Sequence, residues 1–166
     1  MPKSYEEQLR EYENLCANLP DAILIIAKDG RLLMISKKME EMSGYTKGDW
    51  LEKNVFDVPF VPKKEKTLLR TNLQKRFSGE SIAPYPIEVL PKNKEKMFVE
   101  INGRLIKYEG EQAVLLLMRD ITQRKIAEEK LKEAYMELER VNKHLIGREL
   151  RMLELKKEIQ RLKDQK

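Results

Sequence analysis

Residues 22–36 read AILIIAKDGRLLMIS. Two β-favouring apolar runs, Ala22 to Lys28 and Arg31 to Ser36, flank Asp29-Gly30. An Asp-Gly pair in that place supplies the positive φ angles of a two-residue hairpin turn. Outward toward the C-terminus, three further strands are predicted at Tyr85 to Leu90, Lys96 to Tyr108 and Gln112 to Ile121. Pro91 to Glu95 makes the first turn between them and Glu109-Gly110 the second. Val99, Ile101 and Leu105 alternate along one strand, and Val114, Leu116 and Met118 along the next, as strands with a buried face require. Leu115 and Leu117 point the opposite way, so the last strand is apolar on both faces and calls for cover on each.

Between the hairpin and these strands the pattern is helical. Met39 and Met42 lie three apart on a short helix ended by Gly44, and Lys47-Gly48-Asp49 begins another turn carrying Trp50 and Leu51. Pro62 suits the first turn of a longer helix to about Ser78, with Leu68, Leu69, Leu73 and Phe77 as its buried side. The hairpin and the last three strands then form one five-stranded antiparallel sheet, an α+β arrangement with helices crossing one face. The other face is expected to be covered by a partner subunit or by a flanking helix at residues 4 to 19. In that helix Ser4 is the cap, and Leu9, Tyr12, Leu15, Cys16 and Leu19 recur at spacings of three and four.

After Asp120-Ile121-Thr122 the chain has no proline and one glycine through Lys166. With Leu131 at position a of a heptad, Leu138, Leu145, Met152 and Ile159 follow at a, and Ala127, Ala134, Val141, Arg148, Leu155 and Leu162 occupy d. A sustained repeat of this kind predicts a coiled coil. Arg148 alone breaks the seam, and the neighbouring Gly147 weakens the same turn by about 1 kcal/mol relative to alanine. Parallel pairing sets Glu158 beside Lys163 and His144 beside Glu149, although Arg151 then meets Lys156. Thr122 is placed to cap this helix with its hydroxyl, and Asp120 to pair with a nearby cation or accept backbone hydrogens. The domain division expected is a flanking helix over 1–20, a globular domain over 21–122 and a coiled-coil helix over 123–166.

Composition removes whole classes of function. The longest apolar runs, such as Ala22 to Ala27 and Ala113 to Met118, reach six residues, and a membrane span needs about 20. The charged N-terminus lacks the apolar stretch of a secretory signal, so a cytoplasmic location is expected. A single cysteine and a single histidine argue against an internal disulfide, a metal centre and histidine-dependent catalysis. Nothing reads GxSxG, GxxxxGK[ST] or GxGxxG, so no catalytic residue is assigned. The net charge is +5, and residues 124–166 hold 13 Lys and Arg against 9 Asp and Glu. Both signs alternate along that tail, which suits a solvated helix surface better than a basic face for nucleic acid.

Residues 12 to 125 resemble a PAS domain, the sensory module of many bacterial and archaeal signalling proteins. The resemblance rests on NLPDAILIIAKDGRLLMIS, MEEMSGYTKGDWLEKNVFDV, FVEINGRLIKYEGEQAVLLLMRDIT and the exit RDITQRK, in that order and spacing. One departure is Ser36, where many members have asparagine at the strand-to-helix corner. The resemblance implies the five-stranded sheet with a small pocket between its concave face and the helices. It also implies that the step at Asp120 and Thr122 passes sheet strain to the output helix.

Known PAS ligands leave traces that are missing here. Haem needs an axial ligand such as histidine, and none precedes residue 123; a LOV-type flavin needs a cysteine on the short helix facing the sheet, whereas Cys16 lies in the leading helix. A small apolar or aromatic molecule, or none, is left, and Met34, Met42, Trp50, Phe56, Met97 and Met118 are the residues that could line its pocket. His144, in NKHLIGREL, lacks the acidic residue and proline that follow a kinase phospho-acceptor, and reads as a solvated g-position residue. The reading is a sensory and parallel homodimerisation module, seamed by Leu131, Leu138, Val141, Leu145, Met152, Leu155, Ile159 and Leu162, that signals to an output domain or protein. The alternatives are a transcriptional regulator binding DNA through its tail, and the non-catalytic fragment of a sensor histidine kinase.

Overall fold

The computed structural model describes residues 20–51, 53–92 and 95–164. The helix expected over 4–19, with Cys16, and the centre of the turn at 93–94 lie outside the described residues. In chain order the elements are β1 (Ala22–Ala27), β2 (Leu32–Ile35), α1 (Lys37–Ser43), α2 (Lys47–Trp50), α3 (Lys63–Phe77), β3 (Tyr85–Val89), β4 (Met97–Tyr108), β5 (Glu111–Asp120) and α4 (Thr122–Asp164). The strands form one sheet in the order β2-β1-β5-β4-β3, each antiparallel to its neighbours. The chain therefore leaves the β2 edge and re-enters at the β3 edge, and its helical middle crosses one face on the way.

The first hairpin closes differently from the two-residue turn expected. Gly30 donates to the Ala27 carbonyl at 2.9 Å and Ala27 donates to the Arg31 carbonyl at 2.9 Å. The loop is thus three residues long, and Gly30 alone takes a positive φ, 89°. The Asp29 carboxylate turns back to accept from the Arg31 amide at 3.0 Å. Asn54 explains the choice. Its amide nitrogen donates to the Asp29 carbonyl at 2.8 Å, and a Cβ on Gly30 would fall 2.8 Å from that nitrogen. By contrast, Glu109 (φ 51°) and Gly110 (φ 87°) both take positive φ, giving the two-residue turn between β4 and β5.

The core lies between the sheet and the helical middle. Leu24, Ile26, Val99, Ile101, Val114, Leu116 and Met118 face it from the strands, and Met39, Trp50, Phe60, Leu69 and Leu73 from the opposite side. Trp50 is fully buried; its ring meets Phe60 edge-on at 5.4 Å and its Nε1 donates to Ser43 Oγ at 3.3 Å. Ser36 fixes the entry to α1: its Oγ accepts from the Met39 amide at 3.3 Å and from the Ile23 amide at 3.0 Å. One hydroxyl thus caps a helix and ties it to β1.

Helix α3 corrects one expectation. Its buried face is Leu69, Asn72, Leu73 and Arg76, while Leu68 is 43% exposed and Phe77 only partly buried. Spacings of three, four and seven from Leu69 select that face, and Leu68 falls about 100° away from it.

Chain contacts divide the molecule into two units, the first ending at Thr122 and the second beginning at Gln123. The second unit is helix throughout its described length, and no residue of α4 is buried. No helix among the described residues is long and apolar enough to cross a membrane.

Candidate functional site

Three features of this fold can carry function: an interior cavity, the exit from β5, and the surface of α4. The cavity lies between sheet and helices and measures about 20 Å³, room for about one water. Leu24, Met39, Trp50, Phe60, Ile101 and Met118 are among its lining residues, and all of the lining is apolar. Ligand pockets usually span about 300–1,000 Å³, so in this conformation the interior is filled by its own side chains.

Of the six residues proposed from sequence to line a pocket, Trp50 and Met118 do so. Met42, Phe56 and Met97 are buried in the same core but do not reach the cavity. Met34 is half-buried and lies outside the core cluster. It pairs with Ile25, whose neighbours Leu24 and Ile26 face the core, so strand alternation sends Met34 to the other face. Sequence reading missed Met39, which its short amphipathic helix could have flagged, and Leu24 and Ile101, which alternate with residues of the opposite face.

The exit from β5 is held by hydrogen bonds from two sides. The Phe98 amide donates to Thr122 Oγ1 at 2.9 Å, and the Ile121 amide donates to the Phe98 carbonyl at 2.9 Å. The Asp120 carboxylate accepts from the Thr122 amide at 2.8 Å. Asp120 thus accepts a backbone hydrogen, one of the two roles expected of it, by taking an orphan amide at the start of α4, while the Thr122 hydroxyl, expected to cap the helix, is committed to β4. One residue earlier, Arg119 grips Asp21 through Nε and Nη2, both at 2.9 Å, joining the end of β5 to the segment that enters β1. That carboxylate raises the Arg119 pKa above its ordinary value through hydrogen bonding and charge.

Two carboxylates are tuned by their partners. Hydrogen bonds from the Thr46 amide and hydroxyl hold Asp49 below the usual aspartate value, as suits the capping box of α2. Lys64 of α3 lies 3.1 Å from Glu88 of β3 and lowers the Glu88 pKa by hydrogen bonding, against an opposing effect of burial.

On α4 the eight seam residues named from the heptad are 44–72% exposed. A second stripe, Ile146, Leu150 and Leu153, is 50–57% exposed at spacings of four and three. It lies at heptad positions b and f, off the seam, and the single-seam reading passed over it.

The sequence profile of the PAS domain family matches residues 20–123. Among solved structures, the chain is similar to the PAS domain of an HTR-like protein from Haloarcula marismortui, with 26% identity, a TM-score of 0.56, and 70% of this chain and 93% of that chain covered. A domain of a sensory box sensor histidine kinase/response regulator from Geobacter sulfurreducens shares 20% identity at a TM-score of 0.57, covering 71% and 98%. The PAS domain of the Cronobacter turicensis RpfR quorum-sensing receptor, in complex with C12:0, shares 22% identity at a TM-score of 0.50, covering 63% and 97%. The last two similarities are of fold alone. No curated protein matches the chain.

Proposed function

The chain belongs to the PAS domain family, and from that premise we propose that it is a cytoplasmic sensory and dimerisation module without catalysis of its own. It detects a small-molecule or protein signal and passes it through α4 to an output domain or partner in signal transduction. The observation that carries this reading is the apolar seam of α4, exposed along its whole length in a single chain. A helix of 43 residues that buries nothing draws little stability from propensity, since most helical stability comes from packing an apolar face. A second copy in parallel register supplies that packing by setting each a and d residue into the facing helix.

The interior is the ligand site in this reading, and its apolar lining suits an apolar molecule. The RpfR PAS domain, which shares this fold, was solved in complex with C12:0, and this supports a small-molecule signal for the chain. Asp120 and Thr122 are the coupling joint, because any rearrangement of β4 against β5 must strain their bonds to the sheet.

Light scattering tests the dimer. The full chain at tens of micromolar, an order-of-magnitude range in which a seam of this length associates, is expected to have a dimer's mass. Truncation after Lys125, or the pair Leu138→Glu and Leu155→Glu, is expected to give a monomer. A monomeric full chain contradicts the reading.

A further inference from the structure

Arg76 is a cation on the buried face of α3, only 3% exposed. Its Nε donates to the Gly103 carbonyl at 3.3 Å, and its guanidinium lies 5.5 Å from the centre of the Tyr85 ring. The room it occupies is left by a missing side chain. A Cβ on Gly103 would fall 2.8 Å from Arg76 Nε and 2.4 Å from Leu116 Cδ2. Yet the arrangement is incomplete, because Arg76 Nη2 and the Tyr85 hydroxyl are both buried without a hydrogen-bond partner. No carboxylate among the described residues forms an ion pair with Arg76.

A guanidinium cannot shed its proton, so its burial must be offset by partners. The Gly103 carbonyl, the face of Tyr85 and the carbonyl end of α3 offset part of it. The two hydrogens of Nη2 and the phenol remain. Arg76 also lines a cleft of about 570 Å³ bounded by residues 79–84, which follow α3, and by Asn102 to Leu105 of β4. Arg76 and Arg104 against Glu80 give its lining one net positive charge, and Ile82, Pro84 and Leu105 add apolar surface.

We propose that this cleft, separate from the apolar interior, binds a small monocarboxylic acid. Its carboxylate takes the open Arg76 Nη2 and, beyond the lining of the cleft, the buried hydroxyl of Tyr85, which follows Pro84; its apolar part lies against Ile82, Pro84 and Leu105. A carboxylate is the group that fits: a planar acceptor matches the guanidinium fork and can accept a phenolic hydrogen as well. Residues 80–84 carry no regular secondary structure, and their parting from β4 admits the acid to groups that are sealed from solvent in the unliganded fold.

The test is a nitrogen-15 NMR titration of the full chain with hexanoate, 1-hexanol and inorganic phosphate in separate arms. Hexanoate is expected to shift the Gly79 and Gly103 amides saturably, and the other two to leave them in place. Arg76→Gln is expected to weaken hexanoate binding at least tenfold and Tyr85→Phe several-fold. If Arg76→Gln fails to fold, Tyr85→Phe decides. Val61 lines the interior cavity, and Val61→Ile, which adds a methylene there, is expected to leave hexanoate binding unchanged. The proposal is overturned by no saturable shift, which means the open donors are hydrated only. It is equally overturned by equal shifts with hexanol or with phosphate, by unchanged affinity in Tyr85→Phe, or by loss of binding in Val61→Ile, which would move the acid into the core.

Discussion

Phe98 and Thr122 are bonded to each other across 24 residues of chain: the Phe98 amide donates to Thr122 Oγ1 at 2.9 Å. Phe98 also lies opposite Glu88 of β3 in the register of the edge hairpin, so Thr122 is hydrogen-bonded to a strand that belongs to that hairpin. Thr122 therefore serves the sheet more than the helix. In the proposed mechanism this bond converts a sheet rearrangement into a change at the start of α4.

Gly30 and Gly110 offer a controlled comparison of glycine turns. Both have φ near 90°, but a side chain on Gly30 would strike Asn54 whereas Gly110 faces open space. Gly110→Ala is expected to cost about 1–2 kcal/mol for the left-handed backbone alone. Gly30→Ala is expected to cost more than that, with both changes read from urea denaturation midpoints.

Trp50 anchors the helical middle on the sheet. It is fully buried between Tyr45 and Phe60, with its Nε1 bonded to Ser43. Trp50→Ala should destabilise the domain by about 3–5 kcal/mol. Trp50→Phe should cost less, because the edge-on contacts partly survive. Chemical denaturation followed by circular dichroism reads both.

Glu88 should make stability depend on acid. Its hydrogen bond from Lys64 lowers its folded pKa below the ordinary 4.5, so the unfolded chain binds the proton more readily than the folded one. The stabilisation is present above the unfolded pKa and is lost as pH falls through the lowered folded value. The stability difference between wild type and Glu88→Gln should therefore be largest at neutral pH and shrink as the solution is acidified through the lowered folded value. An acid series of denaturant titrations checks this, and salt should reduce the effect because Lys64 is exposed.

Much of the sheet was legible because its signals are local. Alternating apolar residues marked β4 and β5, and the Glu109-Gly110 turn closed as its residues require. The Asp29-Gly30 turn was misread because Asn54, which shapes that loop, is remote in sequence. Leu68 and Leu69 are adjacent, so the composition of α3 does not say which one faces inward; the packing of Leu73 and Arg76 does. Arg76 drew no reading from the sequence, because the absent side chain at Gly103 that makes room to bury it lies on another element. The pocket was the least legible part, since Met34 and Met118 have equal chemistry and differ only in the strand face they occupy.

The most direct test of the proposed coupling joint is hydrogen exchange at Phe98, across Arg119 to Glu129 and along Leu138 to Ile159, in wild type and in Thr122→Val, which keeps the side-chain shape and removes the hydroxyl. The account predicts faster exchange at Phe98 and through the first turn of α4 in the variant, with protection between Leu138 and Ile159 unchanged because the seam is untouched. Unchanged protection at Phe98 and in that first turn would contradict it, and would reduce the step from β5 to α4 to a covalent connection.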